Sequence, residues 1–254
     1  MLYASIVDAY SENDFDVADA WRRGVRAAFH QTSKGFIQKT KIGEDTWRDA
    51  TPAEVADRIA LYKSRKAAAK RLGMLWGAYH FLSGEGVTDQ LNLLLSIEDG
   101  SDPMVSFAID WEPDPSQREM SCGQLRQFVA AFAKRLGRYP IIYAAAFVTE
   151  PVHSGGALER GDRLLAQCPL WYCYVNKPTL PKLPTATWPH YTLLQYDTEK
   201  RSNGAPPVSF MRPGEDPTTV LEGLDWSSYA PGLAALQHAW PLNPSVVGDV
   251  YAII

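Results

Sequence analysis

The segment Phe107-Ala108-Ile109-Asp110-Trp111-Glu112 carries the clearest sign of chemistry in this chain. It begins like a buried strand and ends in two acids. Because side chains alternate between the faces of a strand, Asp110 and Glu112 are expected to point the same way, with Trp111 opposite. Their Cα atoms would lie roughly 6.5–7 Å apart. Two carboxyls so placed suit acid-catalysed cleavage of a glycosidic bond. The alternative is a strand end open to solvent, where acids carry no burial cost.

Further polar and aromatic residues stand at or near the ends of other predicted strands. These residues are Asp8, Tyr79, His80, Tyr143, Trp171, Tyr172, Gln195, Tyr196 and Asp225. In a parallel barrel the carboxyl ends of the strands meet at one mouth, where catalytic residues gather. The pattern therefore predicts an acidic cleft lined by aromatic rings, which suits a carbohydrate because rings stack on sugar faces.

Several of these residues also have a structural interpretation. Asp8 and Asp225 belong to a residue type that caps helices, and Asp225 precedes a segment, 226–229, that it would cap. His80 is interpreted more readily as a core histidine than as a group that transfers protons. Some of the aromatic residues are expected in the core, and Gln195 is expected to form hydrogen bonds from the wall of the cleft.

Short apolar runs alternate with helical patterns, which predicts repeated β–α units and a largely parallel sheet. The predicted strands are Tyr3–Val7, Val25–Gln31, Leu75–His80, Val105–Trp111, Pro140–Tyr143, Leu170–Tyr174 and Thr192–Tyr196. Helices are predicted at Thr51–Leu72, which opens with a capping box, at Ser121–Leu136 and at Leu158–Gln167. We expect one α/β barrel domain over residues 1–236 and a short tail over 237–254, too small for an independent wall-binding module.

The composition is that of an ordinary globular protein, with 46% hydrophobic and 21% charged residues among 254. The net charge of −4, without a basic stripe, argues against a nucleic-acid partner. No apolar run approaches the roughly 18 residues of a membrane span, so no membrane partner is expected. The first residues lack the basic and apolar regions of a secretory signal. Cys122, Cys168 and Cys173 are interpreted as buried thiols, because their number and spacing fit neither a disulfide framework nor a zinc site.

An ordered series of motifs resembles the lysozymes of glycoside hydrolase family 25, the N-acetylmuramidases. The resemblance covers roughly Tyr3 to Leu236. The motifs are Ile6-Val7-Asp8, Phe29–Gly35, Trp76–Phe81, Ile109–Glu112, Pro140–Tyr143, Pro169–Trp171, Leu194–Tyr196 and Leu224-Asp225. The most specific part is Gly-Ala-Tyr-His-Phe followed by Asp-x-Glu. The resemblance implies a flattened, irregular TIM-like β/α barrel with fewer helices than the regular eightfold one.

The same resemblance implies a peptidoglycan hydrolase that cleaves the β-1,4 bond between N-acetylmuramic acid and N-acetylglucosamine. Glu112 then resembles the general acid, Asp110 its partner carboxylate, and Asp8 and Asp225 two further acids of the cleft. No metal or organic cofactor is implied. The expected partner is a peptidoglycan glycan strand, bound by a monomer that acts on cell-wall or periplasmic peptidoglycan after phage-type release or another export route. Retaining, inverting and substrate-assisted mechanisms all stay open.

Two departures from the family pattern and three rival interpretations are to be weighed. Gln31 stands where the family usually carries Lys, and Ala9–Phe15 differs from the usual Ser and aromatic residue, so the near wall of the cleft is expected to differ.

A family 18 chitinase is rejected, because Val105 and Ala108 replace the earlier acids of its motif. A non-catalytic glycan-binding protein and a glycosidase for another N-acetylated glycan remain as alternatives.

Overall fold

The computed structural model describes residues 4–35, 39–43, 46–175, 183–197, 224–229 and 232–247. Within these ranges eight strands close into one barrel, and two more form a separate hairpin. The strands are β1 (Ala4–Ala9), β2 (Ala27–Lys34), β3 (Lys39–Gly43), β4 (Thr46–Asp49), β5 (Leu75–Phe81), β6 (Val105–Asp110), β7 (Ile141–Ala144), β8 (Leu170–Cys173), β9 (Leu193–Asp197) and β10 (Asp225–Tyr229). The helices are α1 (Val17–Arg22), α2 (Pro52–Leu72), α3 (Val87–Ile97), α4 (Cys122–Leu136), α5 (Ala146–Thr149), α6 (Pro151–Ser154), α7 (Ala157–Arg160) and α8 (Leu233–Ala239). The prediction of an α/β barrel is confirmed.

The barrel is parallel except at one strand. Its order is β1-β2-β5-β6-β7-β8-β9, all parallel, and β10 closes it antiparallel to both β9 and β1. The seven predicted strands are present, each within three residues of its predicted bounds, apart from Tyr3, which lies outside the described residues. β10 was not predicted, and the interpretation of Asp225 as a helix cap is wrong, because Asp225 is the first residue of this strand.

Helix α2 begins and ends as predicted. The Thr51 side chain accepts from the backbone N–H of Glu54, and the Glu54 carboxylate accepts from that of Thr51. Gly73, with a φ of 75°, ends the helix in the left-handed region that favours glycine. Helix α4 repeats the arrangement with Ser121 and a terminal Gly137. None of the helices in the described ranges is long and apolar enough to cross a membrane.

The predicted helix Leu158–Gln167 is wrong, because the chain breaks it in the middle. α7 ends before Gly161, whose φ of 94° lies outside the helical region. The Asp162 carboxylate then accepts from the backbone N–H groups of Leu164 and Leu165 at 3.1 and 3.0 Å, which starts a separate 3-10 turn. An Asp that bonds the following backbone competes with helix continuation. The helix-cap interpretation of Asp8 is also wrong, because α1 is capped by Asp16.

Alternation along the strands builds two apolar layers. One fills the barrel and includes Phe29 and Trp171, whose ring centroids lie 4.8 Å apart, and the other lies between the barrel and its helices. The amino end of the barrel is closed by the segment after α8. Asn243 there is buried and accepts from the backbone N–H of Phe107 at 2.7 Å, and it donates to the carbonyls of Phe107 and Tyr139 at 2.9 and 2.8 Å. The opposite, carboxyl end of the barrel stays open to solvent.

Candidate active site

A cavity of about 280 Å³ opens at the carboxyl ends of the strands. The residues that line it are Asp8, Tyr10, Ser11, Glu12, Gln31, Lys34, Arg58, Tyr79, Phe81, Asp110, Glu112, Tyr143, Trp171 and Asp225. The structure therefore brings together the four acids singled out from the sequence. Asp8 and Asp225 are direct neighbours across β1 and β10, and Asp110 ends β6, which is three strands away from β1 around the barrel.

Asp110 is the most deeply placed of the two acids on the β6 segment. Its side chain is buried, and its Oδ1 atom has no hydrogen-bond partner among the described residues. Burial raises the pKa of Asp110 well above the usual range of an aspartate, and the negative charges of Glu112 and Asp8 raise it further.

Glu112 lies two residues after Asp110 and is partly exposed to the cavity. Its pKa rises from 4.5 to about 7, first because the carboxyl is buried and then because Asp225 and Asp114 repel its charge. The positive charge of Lys34 opposes this rise. A carboxyl that keeps its proton near neutral pH and faces a cavity is able to act as a general acid.

Trp111 holds both acids in place from the other side of the segment, as the alternation predicted. Its indole N–H donates to the carbonyl of Met120 at 2.8 Å, and its ring packs on Phe147 with centroids 5.0 Å apart. The backbone N–H of Trp111 also donates to the Tyr143 carbonyl at 2.8 Å, which continues the pairing of β6 with β7 beyond Asp110. A buried anchor between the two acids fixes the direction in which both point.

A lysine that the sequence interpretation left without a role enters the same cavity. Lys34 ends β2, forms an ion pair with Asp114 and lies over the Phe81 ring. Between Gln31 and Lys34 the pairing of β2 with β5 shifts register, at Gln31/Ser33. Gln31 and Lys34 both line the cavity, so Lys34 brings a positive charge to it three residues after Gln31.

Three of the predicted aromatic residues line the cavity, namely Tyr79, Tyr143 and Trp171. Burial raises the pKa of both tyrosines well above the ordinary value, so their hydroxyls stay protonated and able to donate. The Trp171 ring meets Tyr143 edge-on with centroids 5.2 Å apart, and its indole N–H donates to Ser227 at 2.8 Å. These rings form an apolar wall with polar edges, as carbohydrate sites require.

The other four predicted binding residues are not among those that line the cavity. His80 points outward, bonds Ser33 at 2.8 Å and stacks on Phe128, and burial lowers its pKa to about 4. Tyr172 and Tyr196 pack in the layer between barrel and helices. Gln195 is fully buried opposite Ser227 of β10, and its side-chain amide atoms have no hydrogen-bond partner among the described residues.

The other cavity-lining residues that sequence reasoning missed are Tyr10, Ser11, Glu12, Arg58 and Phe81. Glu12 and Arg58 meet at 3.4 Å in this cavity although they lie far apart in the chain.

Among the described residues no group of His, Cys, Asp and Glu is arranged to hold a metal ion. All three cysteines are free, and Cys173 is only partly buried. Burial raises the pKa of Cys173 to about 12, so it is a neutral thiol.

No protein-family model and no curated protein sequence matches the chain, but several solved structures have a similar fold over nearly all of it. A muramidase from Acremonium alcalophilum is 20% identical, with a TM-score of 0.61 over 93% of this chain and 97% of that one. A family GH25 lysozyme from Aspergillus fumigatus is 18% identical, with a TM-score of 0.60 over 93% and 98%. A family 25 glycosyl hydrolase from Bacillus anthracis is 16% identical, with a TM-score of 0.61 over 93% of both chains. The chain thus has the barrel fold of the family 25 lysozymes.

Proposed function

We propose that the protein is a peptidoglycan hydrolase that cleaves the β-1,4 bond between N-acetylmuramic acid and N-acetylglucosamine. The observation that carries this proposal is Glu112, a carboxyl with a pKa of about 7 that faces a cavity beside a second buried carboxyl. Glycosidases use such a pair on the scissile bond. The likeness to solved muramidases and lysozymes supports the choice of substrate.

In this proposal Glu112 protonates the oxygen of the leaving sugar. Burial, and then the negative charges of Asp225 and Asp114, keep its proton bound until the glycosidic oxygen takes it. Asp110 lies deeper and is assigned to the sugar whose bond breaks, where in its ionised form it accepts a hydrogen bond from the acetamido group and stabilises positive charge. Asp8 raises the pKa of Asp110 and, with Asp225, completes the acidic floor. The anomeric configuration of the first product, read by NMR, separates inversion, in which water attacks the sugar directly, from retention, in which a carboxylate or the substrate's own acetamido group attacks first.

We further propose that the barrel acts as a monomer on glycan strands of the cell wall. Its catalytic unit is assigned to residues 1–236, with 237–254 as a tail whose residues Trp240 and Asn243 pack under the barrel. Tyr79, Tyr143 and Trp171 are assigned to the sugar-binding wall, since they line the cavity. We assign a role in supporting the cavity wall, and not in contacting sugar, to His80, Tyr172, Gln195 and Tyr196.

The test is mass spectrometry of borohydride-reduced products from purified peptidoglycan. Wild type is expected to release fragments with reduced N-acetylmuramic acid ends, and Glu112→Gln is expected to release none. Glu119→Gln is a matched control, because this exposed residue lies in the same loop but does not line the cavity. Reduced N-acetylglucosamine ends would instead indicate another glycosidase. Glycan binding without products, from wild type as well, would favour the non-catalytic alternative.

A further inference from the structure

Two cations line the cavity among its described residues, Lys34 and Arg58, and they are held differently. Lys34 forms its ion pair with Asp114 in a nearly buried setting, with side chains 20% and 10% exposed. Arg58 contacts Glu12 at 3.4 Å, near the limit for a hydrogen bond, and the Glu12 side chain is 59% exposed. A solvated acid at this distance is easily displaced, because exposed ion pairs contribute little free energy.

The hairpin and α2 hold Arg58 at the rim of the cavity. Arg48 of β4 donates to both carboxylate oxygens of Glu54 at 2.8 and 2.7 Å, which joins the hairpin to the first turn of α2. Arg58 lies one helical turn further, on the same face. Its Nη2 atom donates to the hydroxyl of Thr40 on β3 at 3.1 Å. Arg58 is therefore oriented in the absence of any substrate.

The loop after β1 is fixed against the same face of α2. Arg65, two turns beyond Arg58, donates to the carbonyls of Tyr10 and Asn13 at 3.1 and 2.7 Å. The backbone N–H of Tyr10 donates in turn to the Asn13 side chain at 2.6 Å. Glu12 lies within this loop, so it faces Arg58 across the cavity rim.

We propose that Arg58 binds a carboxylate on the side arm of the muramic acid residue, which takes the place of Glu12. The other charged groups that line the cavity are five acids, which repel a substrate carboxylate, and Lys34, which already forms an ion pair with Asp114. A guanidinium offers two parallel N–H donors that match a carboxylate. This inference rests on the proposed function. The carboxylate belongs either to the lactyl group, where the peptide is absent, or to the attached stem peptide.

The test compares three soluble glycan substrates with each variant. The first is intact glycan strands with stem peptides, and the second is strands from which an amidase has removed the peptides, so that the lactyl carboxylate is free. In the third, that carboxylate is converted to a neutral methylamide. Cleavage is followed by release of reducing ends, and kcat/KM is obtained for every pair of enzyme and substrate.

Arg58→Gln is expected to lower kcat/KM by roughly 10- to 100-fold on one or both carboxylate-bearing substrates, mainly through KM, with no loss on the methylamide. The substrate that shows the loss identifies the source of the carboxylate. Glu12→Gln, which removes the competing acid, is expected to lower KM on that substrate. Arg71→Gln is the matched control, because Arg71 is exposed at the far end of the same helix.

An equal loss on all three substrates, or no loss on any, would overturn the inference while wild-type cleavage leaves the proposed function intact. If wild type cleaves none of them, both the function and the inference fail. Arg58→Lys and Glu12→Gln keep the test valid should Arg58→Gln unfold, because Arg58→Lys retains the charge and Glu12 is exposed. Unchanged KM values for both of these variants would likewise overturn it.

Discussion

Replacement of Glu112 by glutamine is expected to stabilise the folded protein above neutral pH and to change little in acid. The pKa of Glu112 rises from 4.5 to about 7 on folding, mainly through burial and then through repulsion by Asp225. The folded state therefore keeps a proton that the unfolded state releases, so the free energy of unfolding falls as the pH rises from 4.5 to 7. At about 1.4 kcal/mol per pKa unit, the loss reaches roughly 3 kcal/mol above that range. Glutamine has no proton to release, so the Glu112→Gln protein does not suffer this loss of stability.

The assay is urea unfolding of wild type and Glu112→Gln over a series of pH values from about 4 to about 9. The two stability curves should meet at the acid end and separate by roughly 3 kcal/mol at the alkaline end, or roughly 6–12 °C in Tm. Glu119→Gln, an exposed change in the same loop, controls for the loss of one negative charge. Curves for wild type and Glu112→Gln that run parallel across this range would refute the argument that the cavity holds Glu112 protonated.

Two further predictions concern the charge and the packing of the barrel. Lys34→Met removes a positive charge that lowers the pKa of Glu112, so the alkaline limb of kcat/KM should move to higher pH, and a limb that stays in place would contradict this. Gly77→Ala would place a Cβ atom 2.2 Å from the Phe29 ring inside the barrel and should destabilise the protein by roughly 1–3 kcal/mol in urea unfolding. Gly123→Ala, in the first turn of α4, is the matched change and should be neutral or stabilising, because the nearest atom among the described residues is Ser121 Oγ at 3.9 Å.

The acids of the site were predictable because local periodicity places them. Asp110 and Glu112 share a face of one segment, and Asp8 is the penultimate residue of β1. The same alternation also explains why some predicted binding residues lie elsewhere. His80 follows Tyr79 directly, so the two side chains cannot both enter the barrel. Tyr172 stands in the same relation to Trp171.

The rest of the site depends on arrangements that no short segment contains. Lys34 enters the cavity because a register shift between β2 and β5 offsets the end of the strand. Arg58 and Glu12 meet only because α2 packs beside the loop after β1. Strand β10 was missed because it lacks the apolar run of a buried strand. Ser227 in its middle is polar and accepts a hydrogen bond from the Trp171 indole. These features follow from tertiary packing and not from residue patterns.

The pairing of Asp8 with Asp225 joins nearly the two ends of the described chain at the floor of the cavity. Among the described strands β10 comes last in the chain, and its antiparallel contact with β1 has one of the largest sequence separations. Contacts of this kind form late, because their loop-closure entropy must be overcome first. The acidic floor therefore does not exist in a half-folded chain. The cleft is complete only once β10 has closed the barrel, so the proposed hydrolysis would report barrel closure.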